Sequence, residues 1–312
     1  MKRGLWLVPW LMCGVCAHGA EVLSLDNALR NTYSACVGID DELADLKKMA
    51  GINTAVTAVG TVTGGAATVV GLVKANKDKQ IANLEKELEK LHEIQMRRTF
   101  AAPNKAEVLN LVDSYYEENK DPNKNIEGEI EKLTKQSKKL GNWRTGLIAG
   151  STATNVAGAI IAGKNKVDED LQTQIDNCKA AVKDLNSAII QARFNGEDVS
   201  EAQSIYTACH EYDYVDITPI NKRGKGALVS SAVGATTGLV GTVTSAMANT
   251  DKTRNDNTES GKQKEKNLNT AANVLSGATT VASGAATVFN ATQISAIKKV
   301  ANVAAVCTGV LK

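Results

Sequence analysis

Four uncharged stretches, rich in Gly, Ala and Thr, constrain this chain more than any other feature. They cover residues 49–73, 145–163, 226–250 and 267–297, and are 25, 19, 25 and 31 residues long. Thr and Val favour sheet, but stretches of this length without turn signals are too long for β-strands. Each is long enough to cross a lipid bilayer as a helix. The sequence therefore predicts an all-α fold with a four-helix core.

Charged segments with helical periodicity separate these stretches. Residues 80–138 carry apolar residues at heptad-like spacing with Glu and Lys between them, which predicts a charged, coiled-coil-like helical insertion. The apolar positions are Ile81, Leu84, Leu88 and Leu91, followed by Ile126, Ile130 and Leu133. The polar, low-complexity segment 251–266 is typical of a flexible turn.

Two further segments show apolar residues three and four positions apart, which predicts helices with one buried face. In the first segment, residues 22–48, these positions are Leu29, Tyr33, Cys36, Ile39, Leu43 and Leu46. In the second, which has the most regular spacing in the chain, they are Leu171, Ile175, Cys178, Val182, Leu185 and Ile189.

The N-terminus has the organisation of a secretory signal peptide. Lys2 and Arg3 precede the apolar run 5–15, and small residues follow at Ala17 and Ala20. A membrane anchor is the alternative, but the run is short and contains a proline. We expect residues 1–20 to be a signal peptide and the protein to be exported to the bacterial envelope, or secreted.

Four cysteines remain after removal of the signal peptide: Cys36, Cys178, Cys209 and Cys307. An even number of cysteines in an exported chain favours two disulfides. Because none belongs to a CxxC pair, a zinc site and thioredoxin-like chemistry are both disfavoured.

Comparison of the chain with itself indicates an internal duplication. At a shift of 173 residues, 33–36 aligns with 206–209 and 75–79 aligns with 248–252. At a shift of 125, 151–157 resembles 276–282, which is weaker evidence because both segments are rich in Ala and Thr. We therefore predict repeat A over 21–200, which contains the charged insertion, and repeat B over 201–312.

Each repeat then reads cysteine, apolar helix, connection, apolar helix, cysteine. An up-and-down hairpin returns both cysteines to one end, which favours the pairs Cys36–Cys178 and Cys209–Cys307. Crossed pairings such as Cys178–Cys209 remain open at this point.

The apolar stretches contain small residues four positions apart, the spacing that lets membrane helices approach closely. The predicted helix-packing glycines are Gly60 and Gly64, Gly146 and Gly150, and Gly234 and Gly238. Two features argue against insertion in a membrane. Leu and Ile are few, and Asn53, Asn155 and Asn273 make the transfer of these stretches into lipid less favourable. The alternative is a water-soluble bundle with tightly packed Ala and Gly faces.

The distribution of positive charge favours the membrane. The two connections between the apolar stretches, 74–144 and 251–266, carry 20 Lys and Arg in 87 residues. The segments that contain the cysteines, 21–48, 164–225 and 298–312, carry 14 in 105. This modest difference has the sign expected if the connections are cytoplasmic and the cysteines lie on the oxidising side.

No catalytic, cofactor or metal site is predicted. The chain has three His and lacks HExxH and GxSxG motifs. The segment from Gly158 to Lys164 imitates a phosphate-binding loop, but Asn165 replaces the hydroxyl residue that would hold Mg²⁺. A net charge of +2 with mixed signs does not indicate a nucleic-acid-binding surface.

Two functional hypotheses follow. The first is a non-enzymatic envelope protein, embedded in or associated with the membrane, which acts as a helical scaffold or forms oligomers. Its partners would be lipid and further copies of the chain, and a pore is its most specific version. The second is a soluble periplasmic or secreted bundle that binds a protein partner through the insertion at 80–138.

Overall fold

The computed structural model describes residues 24–101, 122–254, 256 and 258–311, with side chains omitted for 94–101 and 122–123. Within these ranges the chain is all-helical and contains no β-strand. This confirms the predicted fold class. The signal peptide and the residues 102–121 of the insertion lie outside the described residues.

The described chain forms a few long helices joined by short connections. In chain order they are α1 (Leu25–Cys36), α2 (Ile39–Ala101), α3 (Pro122–Lys164), α4 (Glu169–Phe194), α5 (Ser200–Cys209), a 3₁₀ helix (His210–Tyr214), α6 (Thr218–Ala248), α7 (Asp251–Arg254) and α8 (Glu259–Leu311). Two glycines with positive φ, Gly38 and Gly196, lie in the turns after α1 and α4. Both positions favour glycine because other residues rarely adopt this backbone conformation.

The helices divide into two compact units, each containing residues from both predicted repeats. The disulfide unit comprises residues 24–40, 170–215 and 302–311. In it Cys36 is bonded to Cys178 and Cys209 to Cys307, the pairs that the cysteine spacing favours. The face of α4 predicted from its periodicity is buried at all six positions, which confirms that prediction.

The four-helix unit comprises residues 41–101, 122–169 and 216–301. Its helices α2 and α8 run antiparallel, since Asn53 bonds Asn290 near one end and Thr68 bonds Ser276 farther along. α3 and α6 are also antiparallel, since Thr145 bonds Ser245 near one end and Asn155 lies against Gly234 farther along. All four uncharged stretches lie in this unit.

Two local predictions need correction. In the stripe predicted over 22–48, Cys36, Ile39 and Leu43 are buried and Leu29 and Leu46 are half-buried, but Tyr33 is exposed. The buried face of α1 is formed by Ala28, Thr32 and Cys36, four residues apart, and Tyr33 lies one residue off this face. The segment 251–266 is not simply a turn: α7 occupies its start, and α8 begins at Glu259. There Thr258 accepts a hydrogen bond from the amide of Gly261, as N-terminal capping residues do.

Candidate functional site

The four uncharged stretches expose their large apolar side chains. The exposed ones are Ile52, Val59, Val62, Val69, Leu72, Val73, Val156, Ile160, Val229, Val233, Leu239, Val240, Val243, Met247, Val274, Val281, Val288 and Phe289. Of the large aliphatic residues in these stretches, all of which the structure describes, only Ile148 and Ile297 are buried. The outer surface of the four-helix unit is therefore apolar.

The interior of the same unit is polar. Between the four stretches lie the buried side chains of Asn53, Thr57, Ser151, Thr152, Asn155, Ser231, Ser245, Asn269, Ser276, Thr279, Ser283, Asn290 and Gln293. The remaining buried residues there are mostly alanines. A water-soluble bundle has the opposite arrangement, because burial of large apolar side chains is what stabilises it.

These polar side chains connect neighbouring helices. Ser151 Oγ on α3 donates to the carbonyl of Gly60 on α2 at 2.8 Å. Asn155 Nδ2 donates to Ser283 Oγ on α8 at 2.7 Å. Many hydroxyls, such as that of Thr57, also donate to the carbonyl four residues earlier in their own helix. Most of the groups that would be costly inside an apolar layer are thus paired with one another, although Ser231 Oγ has no partner among the described residues.

The predicted helix-packing glycines separate into two groups. A Cβ added at Gly60, Gly64, Gly234 or Gly238 would lie 2.3–2.8 Å from a Thr or Asn side chain of a neighbouring helix. At these four positions the absence of a side chain permits the close approach of two helices. A Cβ added at Gly146 or Gly150 has nothing within 4 Å, so this pair forms part of the outer surface.

A buried arginine lies at the start of the uncharged stretch in α3. Arg144 Nε donates to Ser245 Oγ at 3.0 Å. Its Nη2 donates to Asn269 Oδ1 at 2.8 Å, and its Nη1 donates to Asn273 Oδ1 at 3.0 Å. The guanidinium therefore joins α3 to both α6 and α8 through neutral acceptors.

Directly after the stretch in α2, a second buried cation is paired with carboxylates. Lys74 Nζ lies 2.6 Å from Asp78 Oδ2 and 3.8 Å from Glu265 Oε1. Ser137 also donates to Asp78. In the sequence, Lys74 and Arg144 stand out only as the limits of two uncharged stretches. Their burial was not predictable, because nothing in the local sequence distinguishes an inward cation from an outward one.

The disulfide unit contains one buried phenol. Tyr212 is buried, and both this burial and the nearby carboxylate of Asp40 raise its pKa above the ordinary value of 10.0. The phenol is consequently neutral at physiological pH. It provides packing in the unit and no charge.

The described part of the chain contains no candidate metal site, because no group of three His, Cys, Asp or Glu there is placed to hold an ion. The segment from Gly158 to Lys164 that imitates a phosphate-binding loop is continuous helix within α3. It therefore cannot wrap a phosphate with loop amides. His210 lies in the 3₁₀ helix, with Nδ1 2.7 Å from the carbonyl of Thr207.

Four helical segments are long and apolar enough to cross a membrane: Leu25–Glu93, Lys124–Phe194, Thr218–Ala248 and Glu259–Leu311. Each contains one of the uncharged stretches. Between 28% and 33% of the most apolar window of each segment is buried in the protein. About two thirds of each window is therefore not buried in the protein and can contact lipid or water.

Comparison with known proteins gives no relative: no family model, curated protein or solved structure matches this chain.

Proposed function

We propose that this protein is a non-enzymatic scaffold of the bacterial envelope whose four uncharged stretches span a lipid bilayer. The observation that carries the proposal is the apolar exterior and polar interior of the four-helix unit. In water this arrangement would expose a continuous apolar surface, which soluble monomers avoid. In lipid it pairs most of the polar groups internally and presents Val, Leu and Ile to the acyl chains.

The height of the apolar surface agrees with a bilayer. From Ile52 to Val73 the exposed apolar side chains of α2 extend over 21 residues, or about 32 Å at a rise of 1.5 Å per residue. From Val229 to Met247 on α6 they extend over 18 residues, or about 27 Å. The hydrocarbon core of a typical bilayer is about 30 Å thick.

The residues at the ends of the stretches also suit a membrane. Lys48, Lys164, Lys225 and Lys298 mark one end, where their side chains can reach the headgroups. At the other end the indole of Trp143 is 70% exposed, as expected of a residue at the interface. The asparagines Asn53 and Asn155, which weighed against insertion in the sequence, are buried and do not face lipid.

The topology follows from the cysteines and the positive charges. Disulfides require an oxidising compartment, so we place the cysteine-containing segments outside the cytoplasm. The connections 74–144 and 251–266 are then cytoplasmic, in agreement with their higher content of Lys and Arg. The duplication into repeats A and B gives each repeat two membrane helices and one disulfide.

Self-association is the activity that the outer surface supports best. Gly146 and Gly150 face outward, one turn apart, with the exposed Ala153 continuing the same small face. Two copies of α3 could approach closely there, which is how membrane helices without large interlocking side chains associate. The interior, by contrast, is occupied by bonded Ser, Thr and Asn side chains, which argues for a scaffold over a pore through one copy.

The alternative, a soluble bundle, would bind a protein partner through the insertion at 80–138. Its described part is highly charged, with cross-helix ion pairs such as Lys262–Glu85 at 3.0 Å. Under our proposal the described residues of the insertion, 80–101 and 122–138, are the cytoplasmic parts of α2 and α3, where the insertion would contact a protein partner.

A substitution at Val62 separates the two hypotheses. Val62 is 71% exposed near the middle of its stretch. On a soluble bundle Val62→Lys is a harmless surface change, whereas in a bilayer it costs about 2.5–3.5 kcal/mol. We expect the native protein and Val62→Ala to stay in the membrane pellet after carbonate extraction, and Val62→Lys to be depleted from it.

Two results would refute the membrane proposal. One is release of the native protein into the soluble fraction by carbonate. The other is accumulation of Val62→Lys to the native level, with both disulfides formed.

A further inference from the structure

Lysines without an ion-pair partner surround the four-helix unit at the end where the connections 74–144 and 251–266 begin. They lie on α2, α3, α7 and α8, and all are exposed except one, which is half-buried. No carboxylate of the described residues lies within 4.0 Å of their ammonium groups. We call them the rim lysines: Lys77, Lys79, Lys139, Lys252 and Lys266.

Contacts between helices place the rim lysines at similar heights on the bundle. Ser137 on α3 donates to Asp78 on α2, beside Lys77 and Lys79 in the chain. Lys138 Nζ lies 2.9 Å from Asp251 Oδ1, which places Lys139 level with Lys252. Lys74 Nζ lies 3.8 Å from Glu265 Oε1, so Lys266 lies near the start of the connection in α2.

The carboxylates at this height are already paired with other cations. Asp78 and Glu265 face the buried Lys74, and Asp251 faces Lys138. Residues 74–79, 137–144, 251–254 and 265–266 together contain nine Lys and Arg but only three Asp and Glu. The rim therefore carries an excess of positive charge that the described part of the chain does not neutralise.

The rim directly follows the apolar outer surface. Lys77 comes four residues after the exposed Val73, and Lys139 comes four residues before Trp143, whose indole is 70% exposed. Four residues of helix correspond to about 6 Å. The headgroup layer on each side of a bilayer is about 5–7 Å thick. Side chains of this length therefore reach the phosphate groups if Val73 and Trp143 mark the edge of the hydrocarbon.

We infer that the rim lysines bind the headgroups of anionic phospholipids in the leaflet at this end of the protein. The inference rests on the proposed membrane insertion and names the class of lipid that the protein prefers. An ammonium group offers three donors to phosphate oxygens. An anionic lipid also supplies the net negative charge that the rim lacks, whereas a zwitterionic lipid carries its own cation. Basic residues next to a membrane helix favour anionic lipids in this way.

Lipid selectivity of the full-length protein tests the inference. The protein is reconstituted in phosphatidylcholine vesicles, and electron spin resonance compares the binding of spin-labelled phosphatidylglycerol and spin-labelled phosphatidylcholine. We expect the native protein to prefer phosphatidylglycerol by about tenfold at low salt. Lys139→Gln combined with Lys266→Gln should lower this preference about fivefold or more, because each lysine near an anionic surface contributes about a factor of five.

The matched control removes the same charge farther from the membrane. Lys86→Gln combined with Lys90→Gln changes two exposed lysines of α2, about 20–26 Å beyond Val73 along the helix. At physiological salt, charges in water are screened beyond about 8 Å. This control should therefore keep the native preference.

Failure of this inference differs from failure of the membrane proposal. Equal binding of both lipids by a native protein that carbonate leaves in the membrane pellet would overturn the inference alone. So would a preference that both pairs of substitutions lower equally, or one that soluble inorganic phosphate abolishes, since the rim would then bind free phosphate. Release of the native protein by carbonate would overturn both.

Discussion

Arg144 is the residue whose burial most distinguishes this interior from an ordinary helical core. An arginine cannot lose its proton at accessible pH, so its charge has to be solvated by the protein. Three side chains from two other helices do this, and the guanidinium fixes the positions of α6 and α8 relative to α3. Its removal leaves the side-chain oxygens of Asn269 and Asn273 without this donor, whereas Ser245 keeps its 2.7 Å hydrogen bond to Thr145.

We therefore expect Arg144→Ala to lower the free energy of unfolding by about 3 kcal/mol or more, because the buried amide oxygens lose their donor and the deleted side chain leaves a cavity. Lys139→Ala on the exposed side of the same helix should change it by less than about 0.5 kcal/mol. Denaturant titration in mixed micelles, followed by circular dichroism, measures both. Equal stability of the two variants would show that the guanidinium is not a structural link.

At the level of the helix, replacement of glycine by alanine should have opposite effects at Gly238 and at Gly150. A Cβ at Gly238 would lie 2.3 Å from Thr152 Oγ1 and 3.2 Å from Thr152 Cβ, so α3 and α6 would have to separate. Gly150 has open space on its outer side. There alanine replaces a residue that is less favourable in a helix by about 1 kcal/mol.

We expect Gly238→Ala to lower the free energy of unfolding by about 1–3 kcal/mol. Gly150→Ala should leave it unchanged or raise it by up to about 1 kcal/mol. The bulkier Gly150→Leu should leave the fold intact and weaken self-association, which cross-linking in micelles would detect. Destabilisation by Gly150→Ala would mean that this glycine packs inside the protein.

For the whole molecule, the disulfides close two long loops, with sequence separations of 142 and 98 residues. Cross-links over such distances constrain the unfolded chain strongly. We expect Cys36→Ser with Cys178→Ser to lower the free energy of unfolding by about 2–5 kcal/mol, and the second pair to behave similarly. Peptide mapping without reductant should recover Cys36 with Cys178 and Cys209 with Cys307. Recovery of Cys178 with Cys209 would contradict both the structure and the hairpin topology.

Much of the architecture was predictable because it depends on properties that are local in sequence. The helices follow from the length of the uncharged stretches and from the regular spacing of residues such as Leu171 and Ile175. The disulfide pairs agree with the order of cysteine, helix, helix, cysteine along the chain, which favoured them over crossed pairings. Tyr33 was wrongly included in the buried stripe because spacings of three and four are both helical, and only the contacts of α1 show that Ala28 and Thr32 are the buried positions.

Composition and spacing along the chain are enough to predict a helical protein with four stretches long enough for a membrane and cysteines placed for two bridges. Which side of each stretch faces inward depends instead on the packing of the helices. Gly, Ala, Thr and Val are distributed around these helices with little contrast in polarity, so periodicity alone does not select a face. Contacts between helices made that choice: they placed Gly60, Asn155 and Arg144 inside and left Val62 and Gly150 outside.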